Sequence, residues 1–338
     1  MKRILALAGA MAFAAPAAAD MNVKEIGSFH IGGEVVELSG LDKQMISFTK
    51  GMKPIELDPN GNFNVGQMYV QYIKLAEPKG LPILMWHGGG LTGVTWETKP
   101  DGEPGWQQYF LEAGHDVYLS DAVERGRSSW ARYPEIYDGP PIFRTMKEGW
   151  YLFRIGPQEG WNIDPAKRQA MDGTQFPLEA YNQFTKQSVP RWVSNDARTQ
   201  AAYDELVERV CPCIIIVHSQ GGNFGYNAAL ANPDLVKGLI AIEPSGAPNP
   251  EQADAAAVAG VPHLIVWGDY MDMAPWPTFQ AASRTWADAI DEAGGSVTWM
   301  PLPEEGLTGN SHMLMMDKNS DDVAALIEAW IEENVSAE

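Results

Sequence analysis

At 338 residues, with 45% hydrophobic and 20% charged residues, the chain has a globular composition and room for one large α/β domain or two ordinary ones. Acidic residues outnumber basic ones 44 to 24, a formal net charge of −20. That balance argues against nucleic acid or anionic membrane surfaces as partners and otherwise favours solubility.

The first residues differ from the rest. Lys2 and Arg3 precede an apolar run over 4–15, and Ala17, Ala18 and Ala19 offer a small-x-small cleavage site before Asp20. This is the pattern of a secretory signal peptide over 1–19. The run is shorter than the ~20 residues a bilayer span requires, and no later segment is long and apolar enough to span. A soluble periplasmic or secreted protein beginning near Asp20 is expected. Cys211 and Cys213 flank Pro212. In an oxidising compartment they can pair, although so short a loop needs bent backbone; buried free thiols are the alternative. No second ligand cluster near them suggests a metal.

In chain order, residues 29–38 and 66–75 read as antiparallel strands, with Met68, Val70 and Tyr72 marking one buried face and a turn cluster at 58–62 between them. A short apolar strand at 81–86 ends in His87-Gly88-Gly89-Gly90. A helix over 105–113, ended by Gly114, leads to a strand at 116–120. Strand and helix alternate from here, which predicts a doubly wound, mostly parallel sheet flanked by helices. Over 132–195 seven prolines break the pattern and aromatic residues are dense, Trp150, Phe153, Phe176 and Phe184 among them. A structureless loop of that length is unusual, so this stretch is expected to be a compact insertion capping the sheet edge, with short helices. Most of its aromatics should form a small core of their own, and a few should line a cleft. After an amphipathic helix at 197–210 come strands at 214–217, 238–243, 261–267 and 296–300, helices at 223–230, 278–293 and 322–332, and a loop at 304–310 leading to His312. Nothing resembles a second domain within 20–338.

Chemistry concentrates at Val217-His218-Ser219-Gln220-Gly221-Gly222. Four β-branched residues, 214–217, form a strand buried on both faces. A serine at such a strand-to-helix corner is a nucleophile elbow, usually written G-x-S-x-G, with valine here at the first glycine. A serine hydroxyl needs a base to take its proton and a third group to orient that base. The partners of such an elbow follow in the order acid, then His. His312, in a glycine-bearing loop between the last strand and last helix, has the position of the base. His218 should point elsewhere, and His263, starting a strand, reads as a core histidine. Glu243 and Asp269 each end a strand on the side where a site should lie, and either can be the acid. The Gln220 backbone N–H and one from the 87–90 loop, Gly89 or alternatively Gly88, would form an oxyanion hole. No phosphate-binding glycine motif is present.

Together, the 87–97 stretch from His87-Gly88-Gly89-Gly90 to Trp96-Glu97, the elbow at 217–222, Glu243-Pro244 and Gly309-Asn310-Ser311-His312 resemble the secreted bacterial esterase 713 group of α/β-hydrolases. The likeness runs over most of the mature chain. It implies the α/β-hydrolase fold and points to Glu243, which matches that group's catalytic glutamate, over Asp269. Members of the group carry an adjacent cysteine pair beside the oxyanion hole; Gly89 and Gly90 stand there instead, so features tied to that pair do not carry over. The loop from Asp121 to Ser128 resembles a common hydrolase loop near the cleft and is assigned a structural role. The expectation is a serine esterase with Ser219, His312 and Glu243 as triad, Gly89 and Gln220 as oxyanion hole, no cofactor or metal, and a small-molecule ester as substrate. A homodimer is left open. Alternatives are a lactonase or amidase with the same triad, or a non-catalytic binding protein on a hydrolase scaffold.

Overall fold

The structure is a computed structural model that describes residues 21–336; the expected signal peptide lies outside them. Ten strands form: β1 (Val23–Leu38), β2 (Gln44–Ile46), β3 (Ile55–Leu57), β4 (Gly61–Leu75), β5 (Ile83–Trp86), β6 (Val117–Asp121), β7 (Cys213–His218), β8 (Val236–Ile242), β9 (His263–Trp267) and β10 (Val297–Pro301). Strands β2 and β3 make a small antiparallel pair, and the other eight build one sheet in the order β1-β4-β6-β5-β7-β8-β9-β10. From β6 to β10 the neighbours run parallel; β4 is antiparallel to β6, and β1 to β4.

Every residue of β5, β6, β7 and β9 is buried, as strands covered on both faces must be. Their side chains divide by parity between two cores. Ile83, Met85, Ile214, Ile216, Ile240 and Ile242 face one. Leu84, Trp86, Ile215, Val217, Leu239 and Ala241 face the other. This is the period of two expected of pleated strands.

The helices are α1 (Val94–Glu97), α2 (Trp106–Ala113), α3 (Met146–Leu152), α4 (Tyr181–Phe184), α5 (Asp196–Val210), α6 (Gln220–Ala231), α7 (Trp276–Glu292) and α8 (Ser320–Asn334). On α5, Thr199, Ala202, Tyr203, Leu206 and Val207 are buried, a spacing of three and four that gives one apolar face. That face packs on the second core, where Tyr203 stacks on Trp86 with ring centroids 3.9 Å apart. Helices α2 and α8 cover the first core through Trp106, Phe110, Ile327 and Ile331. No helix among the described residues is long and apolar enough to cross a membrane.

Two differences from the sequence reading are informative, and one open alternative is resolved. Helix α6 starts at Gln220, so Gly221 and Gly222 belong to its first turn rather than to a loop. A Cβ at Gly221 would lie 2.9 Å from the Trp86 carbonyl oxygen, so only glycine lets the helix start this close to β5. The aromatics of the 132–195 stretch pack on one another, but most do not stand apart as a separate core. Trp150, Phe153, Phe176, Tyr181 and Phe184 merge with the strand residues of the first core, while Tyr137 and Trp192 form a small separate cluster with Val65 and Ala131. Within the stretch the rings also pack on one another, Trp150 against Tyr181 with centroids 5.0 Å apart and Phe176 against Phe184 at 5.3 Å, so their cluster is continuous with the main core. Finally, Cys211 and Cys213 are joined by a disulfide, their Cα atoms 4.3 Å apart.

Candidate active site

The loops that follow β5, β6, β7, β8, β9 and β10 converge at the C-terminal ends of the parallel strands, where open α/β sheets bind ligands. Ser219 sits between β7 and α6 with φ 53° and ψ −118°, a strained corner that turns the side chain out of the sheet. Its backbone is stitched on both sides: Ser219 N–H donates to the Ile242 carbonyl (3.0 Å), and its own carbonyl accepts from Ser245 (3.1 Å). Glu243, one residue beyond β8, also has positive φ, 47°. That turn swings its carboxylate under the site.

The Glu243 carboxylate is fully buried and accepts four hydrogen bonds. Arg154 donates from both terminal nitrogens, Nη1 to Oε2 at 2.6 Å and Nη2 to Oε1. Gly268 N–H donates to Oε1 at 2.6 Å and His312 Nδ1 to Oε2 at 2.8 Å. Burial alone would raise this carboxyl's pKa; the Arg154 charge and the His312 hydrogen bond overcome it and hold it down to about 2. Arg154 is itself unexposed, has positive φ (54°), and donates from Nε to the Asp269 carbonyl at 2.7 Å. The sequence reading missed it. An arginine in a proline-broken aromatic stretch carries no spacing signal, and only the fold brings it to Glu243.

His312 lies among three rings, with centroids 4.1 Å from Trp276, 4.4 Å from His218 and 5.6 Å from Phe153. Its backbone N–H donates to the Phe153 carbonyl at 2.9 Å. Since Nδ1 donates to an ionised carboxylate, Nε2 carries the lone pair. Nε2 is buried and has no hydrogen-bond partner. Burial, opposed by Glu243, pushes the imidazole pKa down to about 4. Ser219 and His312 line the same cleft of about 410 Å³, though no hydrogen bond yet joins them. Beneath the loop, Asp317 accepts from Ser311 N–H (2.8 Å), Ser311 Oγ (2.8 Å) and Asn310 Nδ2 (3.2 Å) and so fixes where His312 enters. Asp317 is a second residue that the sequence did not disclose.

The other candidates take different places. Asp269 accepts from the Asn310 backbone N–H at 3.1 Å, and its carboxylate is engaged there rather than at His312. His218 lies 3.0 Å through Nε2 from the His312 carbonyl; burial holds it well below the ordinary imidazole range. His263 is buried beside the Val261 carbonyl at 2.7 Å.

The glycine loop after β5 packs on the elbow: a Cβ at Gly88 would lie 3.0 Å from Ser219 Cβ. His87 fastens the loop, with Nδ1 2.8 Å from the Gly88 carbonyl and Nε2 accepting from Ala122 N–H at 3.0 Å. The contacts of the 121–128 loop are of the structural kind expected of it, and they bear directly on the site. Arg125 donates to the Gly88 carbonyl (3.1 Å) and to Gln220 Oε1 (2.8 Å), tying the glycine loop to the residue after the serine. Within the described residues the backbone N–H groups of Gly89 and Gln220 make no hydrogen bond. Nor does any group of three or more His, Cys, Asp or Glu there stand ready to hold a metal ion.

No family model matches the chain. The solved structure of a novel bacterial esterase superposes with a TM-score of 0.80 at 31% identity, covering 96% of this chain and 100% of that one. A fungal protein (strain ATCC 74256) called "Probable secreted lipase phiG" is 27% identical, over 80% of this chain and 87% of its own length.

Arg154 and Glu243 form a fully buried, bidentate pair, and removing one member strands the other's charge. Arg154→Met should therefore lower the unfolding free energy in urea by about 3–5 kcal/mol. A loss below about 1 kcal/mol, the range of an exposed pair, would show that Arg154 is not what keeps the carboxylate ionised.

Proposed function

This chain belongs to the esterases of the α/β-hydrolase family, and from that premise we propose that it cleaves carboxylic esters through a Ser219–His312–Glu243 triad and a covalent acyl-enzyme. The observation that carries the reading is the 2.8 Å hydrogen bond from His312 Nδ1 to Glu243, which leaves a bare Nε2 in a cleft shared with Ser219. Glu243 stays ionised and fixes the tautomer. Nε2 takes the proton as Ser219 Oγ attacks the ester carbonyl carbon. In an unliganded site such a contact is often long and tightens when substrate binds. The carbonyl oxygen becomes an oxyanion and accepts from the backbone N–H groups of Gly89 and Gln220; one such donor is worth about 3–4 kcal/mol in a comparable site. His312 then gives its proton to the leaving alcohol, and water attacks the acyl-enzyme by the same route. Asp269, placed on the Asn310 backbone, supports the loop and takes no part in proton transfer.

We further infer export. The basic, apolar and small-residue segments over 1–19 support it, as does the likeness to a protein called a secreted lipase.

Ser219→Ala should leave the fold intact and abolish turnover of a neutral aryl ester; retained activity would sink the assignment. Glu243→Gln should cost about 10⁴-fold in kcat, as loss of the orienting carboxylate does in related triads, whereas Asp269→Asn should cost far less. The reverse order would make Asp269 the acid. The pH profile gives an independent check. A base whose pKa is lowered to about 4 is competent above that value, so kcat/KM should fall only as pH drops through about 4. An acid limb near 6.5, the value of a free imidazole, would contradict the burial of His312. For export, sequencing the N-terminus of the protein recovered outside the cytoplasm should begin at or near Asp20; an uncleaved Met1 would refute it.

A further inference from the structure

The chain carries a large excess of negative charge, yet three guanidinium groups crowd the glycine loop of its cleft. Arg125 is buried, and among the described residues neither it nor Arg191 has a carboxylate within ion-pairing distance. Arg191 Nη1 donates to Gln220 Oε1 at 2.8 Å and lies 2.8 Å from where a Cβ of Gly89 would stand. Arg144 reaches the same loop from the other side, with Nε 3.7 Å from a Cβ position on Gly90. Its ion pair is with Glu148, whose side chain is 38% exposed, and its buried Nε has no partner. Arg144 and Arg191 line the cleft together with Ser219, Gln220 and His312. Asp196 is on the same wall but is not within 4.0 Å of either arginine. Burial lowers the pKa values of Arg125 and Arg144, and the charge of Arg191 lowers both further.

Holding like charges side by side, half-buried and with donors to spare, is unfavourable unless an anion completes the arrangement. Scaffolding explains Arg125, whose donors grip Gly88 and Gln220. It accounts for part of Arg144, which pairs with Glu148 at 2.9 Å and lies 5.2 Å over the Phe153 ring, but not for its unpartnered Nε or for the remaining donors of Arg191. A planar fork of donors is the natural receptor for a carboxylate.

We propose that Arg191 and Arg144 receive a carboxylate on the substrate, so that the preferred esters are half-esters carrying a free acid group beside the scissile bond. The proposal rests on the Ser219 reading for the position of the ester. It adds that the cleft selects by charge.

The test uses two matched pairs on the mature protein. One compares a 4-nitrophenyl ester of an ω-carboxy acid with the ester of the neutral acid of equal length. The other compares 4-acetoxybenzoate with its methyl ester, placing the carboxylate on the leaving group. In at least one pair the anionic member should have a kcat/KM about tenfold or more above its partner, equivalent to about 1.4 kcal/mol. Arg191→Gln and Arg144→Gln should each bring that ratio towards one, and added salt should lower it. A wild-type ratio near or below one in both pairs overturns the proposal. So does an unchanged ratio when the variants slow both members equally, since that is the signature of scaffolding. Calorimetry on Ser219→Ala with monomethyl and dimethyl glutarate reads recognition without turnover. Tighter binding of the half-ester that depends on Arg191 supports the proposal even if the serine assignment fails, and equal binding overturns it.

Discussion

A carboxylate with no solvent contact has to be kept charged by something inside the protein. Arg154 does this for Glu243 with a two-pronged hydrogen bond, and the rest of the site depends on it. An uncompensated glutamate at that depth would take up a proton, because desolvation disfavours the ionised form. It would then lose the charge that draws the Nδ1 proton of His312. The imidazole would be free to reorient, and the bare Nε2 would no longer be fixed beside the cleft that Ser219 also lines. The pair is thus less a source of stability than a means of fixing a tautomer, since desolvation offsets much of the attraction between buried ions.

The positions of the participants are held by strain as well as by charge. Ser219, Glu243 and Arg154 all occupy the left-handed region of backbone space, which side chains larger than glycine rarely adopt. Each lies at a corner that the packing around it over-determines. Ser219 is hydrogen-bonded into β8 and Glu243 N–H into β9. Conformations costing about 1–3 kcal/mol each persist only where such neighbours enforce them. The sheet supplies that enforcement because its central strands are buried throughout.

Much of this was legible in the sequence, for physical reasons that also mark its limits. Period-two strands, amphipathic helices and turn residues reflect burial, so the layers and their order could be read with small errors at the ends. Ser219, Glu243, Asp269 and His312 stood out because they follow strands in a set order. Arg154, Asp317 and Arg125 did not, because their importance lies in what they touch across the fold. Arg154 and Glu243 are 89 residues apart, and no local pattern couples them. The choice between Glu243 and Asp269 likewise turned on resemblance, since both end a strand and only three-dimensional contact separates them. For a related reason the sequence could show that the insertion's rings would be buried together, but not that their cluster would run on into the sheet core.

That merged core has a mechanical consequence. Lifting the 132–195 stretch away from the sheet would strip the strand side of a cluster in which Trp150, Phe153, Phe176, Tyr181 and Phe184 are buried against one another and against strand residues. At about 1.5–3 kcal/mol for each large apolar side chain fully exposed, even partial exposure of these rings takes a sizeable share of the about 5–15 kcal/mol by which a domain is stable. The residues of this stretch that share the cleft with Ser219, Arg144, Leu152, Phe153 and Arg191 among them, are thus anchored like masonry rather than hung like a flap. If that cleft is where catalysis occurs, its existing outline, and not a moving cover, limits the size of what it can admit.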